Sequence, residues 1–506
     1  MNFSAQKIWL ARLGMGAVLL AGTTGCKDYL DVNTSPNQPA AVTPAVLLSG
    51  IEVTTGFTAG NELQRATELF IQHAAGTANG PLAYDAYTLR GSFDNQWNFE
   101  LYAGSLTNTR LLIDQNQATN PYYAGIGKLL RAYNFSIATD LWGDVPYSQA
   151  SLGNANLAPR YDAQADIYQG NTALGIQSLF DLVRDGLTDI NNTTNALVPG
   201  TDDVMYGGSR TKWTKFGNML LLKFATTVSR KNPTLATQVI REVLTKGSAA
   251  YITDNSDDAA VPFGTTVGNQ NPIYAYNIVN RPLDEMLSRR FLDSLRAPKA
   301  NDPRLPRFWT TATTSSAAIT TPFGIFTGLD NAGTQVAPTL AAQRSRTGVY
   351  QTGMSGEAPI QLVTNFQRAF ILAEAAIRLG TPGDPQALFQ EGIRASMTKA
   401  GVSATDITAY FTANPTTVTL AGSNEHKLNQ ILTQKWIAWC GNGIEAYNDY
   451  RRTGYPQLQV VQFPNPESPS SIPRRLFYPN SEINTNTTQI PTPQPSIATA
   501  VWWDVR

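Results

Sequence analysis

"TNFQRAFILAEAAIRLGTPGDPQALFQEGIRASMTKAG", residues 364–401, indicates most clearly what kind of fold this chain adopts. Apolar side chains recur at helical spacing over Thr364 to Leu379 and again over Ala387 to Ala400, so each segment predicts an amphipathic helix. A glycine follows each segment, at 380 and at 401, and glycine commonly ends helices because it adopts the left-handed conformation without strain. The intervening "TPGDP" predicts a turn. The stretch therefore predicts two helices joined by a short turn.

Three other parts of the chain predict neighbouring helices in the same way. The predicted helices are Tyr122–Thr139 with Ala163–Ile190, Thr211–Arg230 with a partner from Pro233 to Gly247, and Leu428–Trp439 with Ile444–Arg452. One helix pair cannot bury its apolar face alone, whereas stacked pairs can. No strict sequence period is visible, so the pairs are not regular repeats. We therefore expect a mostly α fold with an irregular, TPR-like paired-helix solenoid core.

Two long insertions interrupt the predicted helix pairs. They span Tyr251 to Asn280 and Asn301 to Ala358, and the second is rich in Thr, Ser, Gly and Pro. Long loops on a helical scaffold usually carry function or are disordered. The insertions are therefore the first place to look for a binding surface.

The composition excludes some partners. The chain has 506 residues, and its 38 Lys and Arg balance its 38 Asp and Glu. This provides no basic field for a nucleic-acid backbone. After Cys26 no run of 18 apolar residues occurs, so no membrane-spanning helix is expected. Cys440 is the only other cysteine, and its apolar surroundings predict a small buried side chain.

The N-terminus predicts export and lipidation. A basic start precedes the short apolar run Leu13 to Ala21, and the small or hydroxyl residues 22–25 stand directly before Cys26. This pattern resembles a bacterial lipobox, in which the chain is cut before a cysteine whose thiol is acylated. Residues 1–25 are thus predicted to be a signal peptide, with Cys26 as the lipidated first residue of the mature chain. Thr23 stands where such signals usually have Leu, and an ordinary signal peptide with an incidental cysteine is the alternative.

Five segments, taken together and in order, resemble the SusD/RagB family of outer-membrane nutrient-binding lipoproteins from Bacteroidetes-type bacteria. The resemblance covers nearly all of the predicted mature chain, residues 26–506, and is strongest to the second SusD-like branch. The segments are "CKDYLDVNTSPNQP" (26–39), "ATDLWGDVPYSQA" (138–150), "RAFILAEAAIRLG" (368–380), "EAYNDYRRTGYP" (445–456) and "PRRLFYPNSEINTN" (473–486).

The resemblance implies a function. Members of the family sit at the cell surface, anchored in the outer membrane by lipid, as lids over a SusC-like TonB-dependent transporter. They capture a nutrient and deliver it to that partner. For this chain the resemblance implies a glycan or oligosaccharide as the nutrient, with a peptide as the alternative. We also expect no cofactor and no enzymatic activity, and the balanced charge argues against nucleic acid as a partner.

Candidate ligand-binding residues come from two aromatic segments. In "YDAYTLRGSFDNQWNFELY" (84–102) and "NQNPIYAYN" (269–277), aromatic rings alternate with amide and charged groups, a mixture that suits sugar rings. The alternative for the first segment is structural, with Trp97, Leu101 and Leu106 forming one buried helix stripe. The candidates are Tyr84, Tyr87, Arg90, Trp97, Asn98, Tyr274 and Tyr276.

Motifs for catalysis or metal binding are weak. His73 and His426 lie far apart, and neither HExxH nor GxSxG occurs. "DNSDD" (254–258) lacks the glycine and closing glutamate of a calcium loop and predicts a solvated turn. We therefore expect a binding protein without a metal ion. A surface glycoside hydrolase remains an alternative because spare carboxylates are common, and so does a structural surface lipoprotein.

Overall fold

The computed structural model describes residues 42–314 and 318–506. The predicted signal peptide and Cys26 lie outside the described residues, so cleavage and lipidation stay predictions, as does the start of the mature domain. From Pro44 to Arg506 the chain forms one compact unit.

Helices dominate the described part of the chain. Those of nine or more residues are α1 (Pro44–Gly60), α2 (Glu62–Phe70), α3 (Thr107–Asn116), α4 (Pro121–Trp142), α5 (Leu179–Asn191), α6 (Arg210–Val228), α7 (Pro233–Thr245), α8 (Asn365–Leu379), α9 (Pro385–Lys399), α10 (Ala404–Ala413), α11 (Asn424–Ala438) and α12 (Gly443–Thr453). Shorter α-helices are Asn79–Asp85, Gln164–Gln169, Pro272–Tyr274, Arg289–Arg296, Leu305–Phe308, Val349–Thr352, Pro415–Val418 and Asn480–Thr485. Two π-helices span Gln96–Leu106 and Ala275–Asn280.

The strands are short and pair only two by two. They are β1 (Ala74–Gly76), β2 (Val145–Pro146), β3 (Tyr161–Asp162), β4 (Ala259–Val261), β5 (Glu285–Leu287), β6 (Ala318–Thr321), β7 (Gly324–Thr327) and β8 (Ile360–Val363). The antiparallel pairs are β1–β5, β2–β3, β4–β8 and β6–β7. Because β1 pairs with β5, with Ala74 opposite Leu287, the N-terminal region is tied to the segment that follows the first insertion.

Local signals explain the helix pair α8–α9. The Thr364 hydroxyl accepts a hydrogen bond from the backbone N–H of Gln367 and so caps the start of α8. Gly380 ends α8 in the left-handed conformation, with φ of 62°. Asp384 then caps α9, and Pro385 occupies its first position, where its missing N–H costs nothing. The predicted pair is confirmed, and α9 begins two residues earlier than predicted.

The helix pairs stack in the predicted order. Helix α4 packs against α5, α6 against α7, and α8 against α9, while α11 leads directly into α12. Contacts of α6 with both α5 and α8, and of α11 with α8 and α9, join successive pairs into one scaffold. The mostly α, TPR-like paired-helix fold is confirmed.

The predicted helix over residues 163–190 is wrong as a single element. The chain forms Gln164–Gln169, a 3₁₀ turn at Thr172–Leu174, and only then α5. Gly170 and Gly175 both have positive φ, 81° and 67°, and break the helix. The Ser178 hydroxyl starts α5 by accepting a hydrogen bond from the N–H of Asp181, 2.9 Å away.

The "DLWGDVPY" motif is structural. The Trp142 indole N–H donates to the carbonyl of Phe477 at 2.8 Å, and Tyr147 is buried. The Asp144 carboxylate accepts from the backbone N–H of Gln164 at 2.8 Å. The Asp140 carboxylate lies in the core, where it accepts from the Tyr168 hydroxyl at 2.7 Å and the Trp503 indole at 2.8 Å. The motif therefore joins α4 to the C-terminal segment.

Both insertions are ordered in their described parts. The first carries β4, a short helix at Pro272–Tyr274 and a π-helix, while the second carries the β6–β7 hairpin and helices at Leu305–Phe308 and Val349–Thr352. Cys440 is buried, as predicted, and burial raises the pKa of its thiol well above the usual value. Among the described helices none combines the length and apolar character that crossing a bilayer requires.

Candidate ligand-binding cleft

Three of the sequence-predicted rings lie in the core. Trp97 and Tyr87 are each 1% exposed and Tyr84 is 8% exposed, so none offers a free face to a sugar. The prediction that these rings stack on ligand is therefore wrong for this structure. The structural alternative is confirmed instead, because Trp97, Leu101 and Leu106 are buried together on the π-helix Gln96–Leu106.

The two buried tyrosines, Tyr84 and Tyr87, pack against other parts of the chain beneath the surface. Tyr84 stacks on Phe93 with ring centroids 5.4 Å apart. The Tyr87 oxygen accepts from the backbone N–H of Val461 at 3.4 Å and thereby touches a distant segment of the chain. Burial raises the pKa of both hydroxyls, so both stay protonated at neutral pH.

Arg90 and Asn98 reach the surface but are engaged with the C-terminal region. Arg90 Nη2 lies 2.6 Å from Glu467 Oε1, and its guanidinium lies 4.4 Å from the centroid of the Phe477 ring. Asn98 Nδ2 donates to the Ser481 hydroxyl at 3.0 Å. Both groups are accessible enough to meet a ligand.

Tyr274 and Tyr276 are half-buried on the other predicted segment. The Arg65 guanidinium lies 3.4 Å from the centroid of the Tyr276 ring, and the Tyr276 hydroxyl donates to Asp284 at 3.0 Å. One face of Tyr276 is thus already covered by a cation. Tyr274 packs beside Gly356 of the second insertion.

A different feature has the shape of a binding site. We name it the polar cleft; its volume is about 420 Å³. It lies between the helix Arg289–Arg296, the loop after Leu329 and the C-terminal segment that contacts Tyr87. Its lining residues are Gln72, Arg289, Arg290, Asp293, Asp330, Asn331, Gly333, Gln459, Val460, Val461 and Gln462.

Buried hydrogen bonds fix one wall of the polar cleft. Asn331 Nδ2 donates to the Ala74 carbonyl at 2.7 Å and to Asp85 at 2.6 Å, and Asn331 Oδ1 accepts from the Ser288 hydroxyl at 2.7 Å. Asp85 also accepts from the backbone N–H of Ala332 at 2.8 Å. Burial raises the pKa of Asp85 to about 7. The β1–β5 pair thus holds the Asn331 loop in place.

The opposite wall is the segment around Gln459. Gln72 Nε2 donates to the Gln459 carbonyl at 2.6 Å, and Arg290 Nη2 donates to the Gln457 carbonyl at 2.7 Å. The next residue after the lining Gln462 is Phe463, whose side chain is 57% exposed. The exposed Phe463 ring is a surface on which a sugar face can stack.

The chemistry of the polar cleft suits a neutral, hydroxyl-rich ligand. Guanidinium and amide groups donate hydrogen bonds, and the carboxylates of Asp293 and Asp330 accept them. Sequence reasoning missed the cleft because four segments far apart in the chain build it. The only signal was that Asp330 and Asn331 fall in the second predicted insertion.

The described residues contain no group of three or more His, Cys, Asp and Glu side chains placed to hold a metal ion. In "DNSDD", Asp257 pairs with Lys215 and Asp258 with Lys399, each at 2.6 Å. Asp254 accepts from the N–H of Ser256 at 2.8 Å. These carboxylates stabilise a turn.

The fold and the cleft define a class, a paired-helix scaffold whose inserted segments shape a surface cleft. A family model described as "Starch-binding associating with outer membrane", the second SusD-like family, matches residues 36–479. The chain therefore belongs to the SusD-like family, as the sequence motifs predicted.

Solved structures agree on the fold. A chitin-binding SusD homologue from Flavobacterium johnsoniae is 22% identical with a TM-score of 0.73, and the match covers 91% of this chain and 97% of that one. SusD homologues from Bacteroides uniformis and Bacteroides thetaiotaomicron are 22% and 21% identical, with TM-scores of 0.72 and 0.73; each match covers 92% of this chain and 99% of the other. A search of curated proteins found no match.

Proposed function

We propose that this protein is a cell-surface lipoprotein that binds a glycan in the polar cleft and delivers it to a SusC-like TonB-dependent transporter. The observation that carries the proposal is the family match over residues 36–479, combined with a cleft lined by donors and acceptors. A family of starch-binding proteins makes a glycan the first choice of ligand. A peptide remains the alternative, since the same amide and guanidinium groups bind peptide carbonyls.

The proposed binding mode combines stacking and hydrogen bonding. A sugar face on Phe463 would remove apolar C–H surface from water. Its hydroxyls would meet Asp330, Gln462 and the guanidinium of Arg289. Arg289 is already oriented by Asp293, with Nε 3.0 Å from Oδ2. The cleft is open to solvent and only one aromatic ring, Phe463, is available for stacking. We therefore expect a dissociation constant in the micromolar to millimolar range, equivalent to about −8 to −4 kcal/mol.

Calorimetric titration with chito-oligosaccharides and malto-oligosaccharides tests this proposal. Phe463→Ala and Asp330→Ala are each expected to weaken binding about tenfold, equivalent to about 1.4 kcal/mol. Phe99 follows Asn98 and is the other strongly exposed phenylalanine in the described part of the chain, with 68% of its side chain exposed; Phe99→Ala is expected to leave binding unchanged. Loss of binding in Phe99→Ala alone would move the site to the surface of Arg90 and Asn98. If peptides bind and no oligosaccharide does, the ligand is a peptide and not a glycan.

The delivery role has its own test. Native membranes solubilised in mild detergent are expected to yield this chain together with a TonB-dependent barrel protein. Recovery of the chain alone, with glycan binding intact, would leave a surface binding protein without the delivery function.

We expect this protein to bind its glycan without hydrolysing it. The described residues contain two histidines, of which His73 is fully buried, and no metal-binding group. Purified protein is expected to release no reducing sugar from the glycan that it binds. Release that disappears on changing one cleft carboxylate would support the glycoside hydrolase alternative.

A further inference from the structure

A second cleft, of about 370 Å³, has a very different lining. We name it the arginine cleft. It forms where the C-terminal ends of α6, α8 and α12 approach Arg506. Three guanidinium groups, those of Arg230, Arg378 and Arg506, line it with the single carboxylate of Glu425.

Among the described residues, Arg506 pairs with Asp504, with Nε 3.2 Å from Oδ1, but Arg230 and Arg378 have no carboxylate at hydrogen-bond distance. Glu425 forms its hydrogen bond with the Tyr455 hydroxyl, at 3.1 Å, and not with an arginine. Glu374 Oε1 lies 3.6 Å from Arg378 Nε, beyond hydrogen-bond distance, and both oxygens of Glu374 accept from Arg452. The Asp504 carboxylate near Arg506 is shared with Arg474, 2.6 Å away.

Capping of helix ends explains only part of the cluster. Helix C-termini favour nearby cations, and Arg230 Nη1 donates to the Arg452 carbonyl at 3.0 Å in this way. Arg378 Nε, by contrast, is buried without a hydrogen-bond partner. Burial lowers the pKa of Arg230, and the positive charges of the nearby Arg378 and Arg452 lower it further. The guanidinium groups of Arg230 and Arg378 therefore repel each other, and Arg378 Nε has no acceptor for its hydrogen.

We propose that the arginine cleft binds a sulfate or phosphate group, either free or esterified to a sugar. Guanidinium groups bind such oxyanions through paired, charge-assisted hydrogen bonds. A tetrahedral oxyanion has enough oxygens to meet donors that arrive from different helices, whereas a carboxylate has only two. The cleft volume lies within the range of small-ligand sites, so a sugar ring fits with the anionic group. The inference does not depend on glycan binding in the polar cleft.

The first test is calorimetry on the full mature protein with sodium sulfate, sodium phosphate, glucose 6-sulfate and glucose 6-phosphate, at matched ionic strength in chloride. Wild type is expected to show saturable binding of at least one of them. Arg378→Gln and Arg230→Gln are each expected to weaken it at least about tenfold, the loss typical of one hydrogen bond to a charged group. Arg110→Gln is the matched control and is expected to bind normally; Arg110 is half-buried and pairs with the exposed Asp114 at 3.2 Å.

Thermal unfolding separates binding from folding defects. In buffer without oxyanions, Arg378→Gln is expected to melt at or above the temperature of wild type, because repulsion with Arg230 is relieved. Sulfate or phosphate is expected to raise the melting temperature of wild type and not that of the variant. Tighter binding of the sugar esters would identify an esterified ligand, and binding of the inorganic ions alone a free one. Absence of saturable binding by wild type, or binding by both arginine variants that is as tight as that of wild type, would overturn the proposal.

Discussion

Arg452 shows how strongly one side chain depends on partners that are remote in the sequence. It is fully buried in the last turn of α12, where it donates to both oxygens of Glu374 in α8 and to Asp449 at 2.8 Å. Lys435 of α11 lies 2.8 Å from the second oxygen of Asp449. Two cations and two anions therefore form a paired network that joins three helices.

Removing Arg452 is expected to destabilise the fold strongly. Arg452→Gln leaves the buried Glu374 without its partner, and breaking a buried pair in this way typically costs about 3–5 kcal/mol. Urea unfolding measures this loss. The control Arg110→Gln removes a half-buried arginine from its pair with the exposed Asp114, and is expected to change the free energy of unfolding by less than about 1 kcal/mol. Equal effects of the two substitutions would show that the network adds nothing to stability.

Glu68 is expected to make stability depend on pH. It is buried, its Oε1 has no hydrogen-bond partner, and burial raises its pKa to about 7. Between its unfolded pKa, about 4.3, and 7 the folded state binds the extra proton, so stability from this group is lost as pH rises through that window.

Comparison with Glu68→Gln isolates this effect. The stability of wild type relative to the variant is expected to fall by up to about 3 kcal/mol between pH 4.5 and 8, and to be constant above that. Unfolding in urea at several pH values gives the difference directly. A difference that does not change with pH would mean that Glu68 keeps an ordinary pKa.

At the scale of elements, the contact between α12 and α2 joins the C-terminal pair to the N-terminal helices. Gly443, the first residue of α12, lies so close to α2 that a Cβ there would approach the backbone nitrogen of Glu68 to 2.3 Å. Gly443→Ala is expected to cost about 1–3 kcal/mol because the helices must move apart.

A second glycine provides the control for this packing. Gly50 lies within α1, and a Cβ there would meet nothing within 4 Å. Gly50→Ala is therefore expected to be neutral or to stabilise the protein by up to about 1 kcal/mol. Thermal unfolding of Gly443→Ala and Gly50→Ala measures both changes in stability. A harmless Gly443→Ala would mean that α12 does not pack this tightly on α2.

Elements with local signals could be predicted from sequence, and features built from remote segments could not. The caps, turn and apolar stripes of α8 and α9 lie within 38 consecutive residues, and that pair was predicted correctly. The prediction of a single helix over residues 163–190 was wrong because it relied on the apolar spacing and overlooked Gly170 and Gly175, which both have positive φ. Tyr84, Tyr87 and Trp97 were misassigned because their rings are buried by residues such as Trp142 and Val461, whose proximity the sequence does not reveal.

At the scale of the whole molecule, the lipid anchor is the prediction that lies furthest from the described residues. Cys26→Ala is expected to move the protein from the membrane fraction to the soluble fraction, because acyl chains contribute about 0.8 kcal/mol per buried CH₂. Fractionation with detection of the acyl group measures this. Full membrane retention of an acylated Cys26→Ala protein would contradict it.

The role proposed for this protein depends on a glycan binding in the polar cleft. Hydrogen–deuterium exchange with and without a bound oligosaccharide tests it most directly, because it locates protection without any substitution. We expect slowed exchange in residues 457–463 and 330–333, which line and flank the cleft. Protection confined to residues 96–102 or 270–277, or no protection at a saturating ligand concentration, would contradict it.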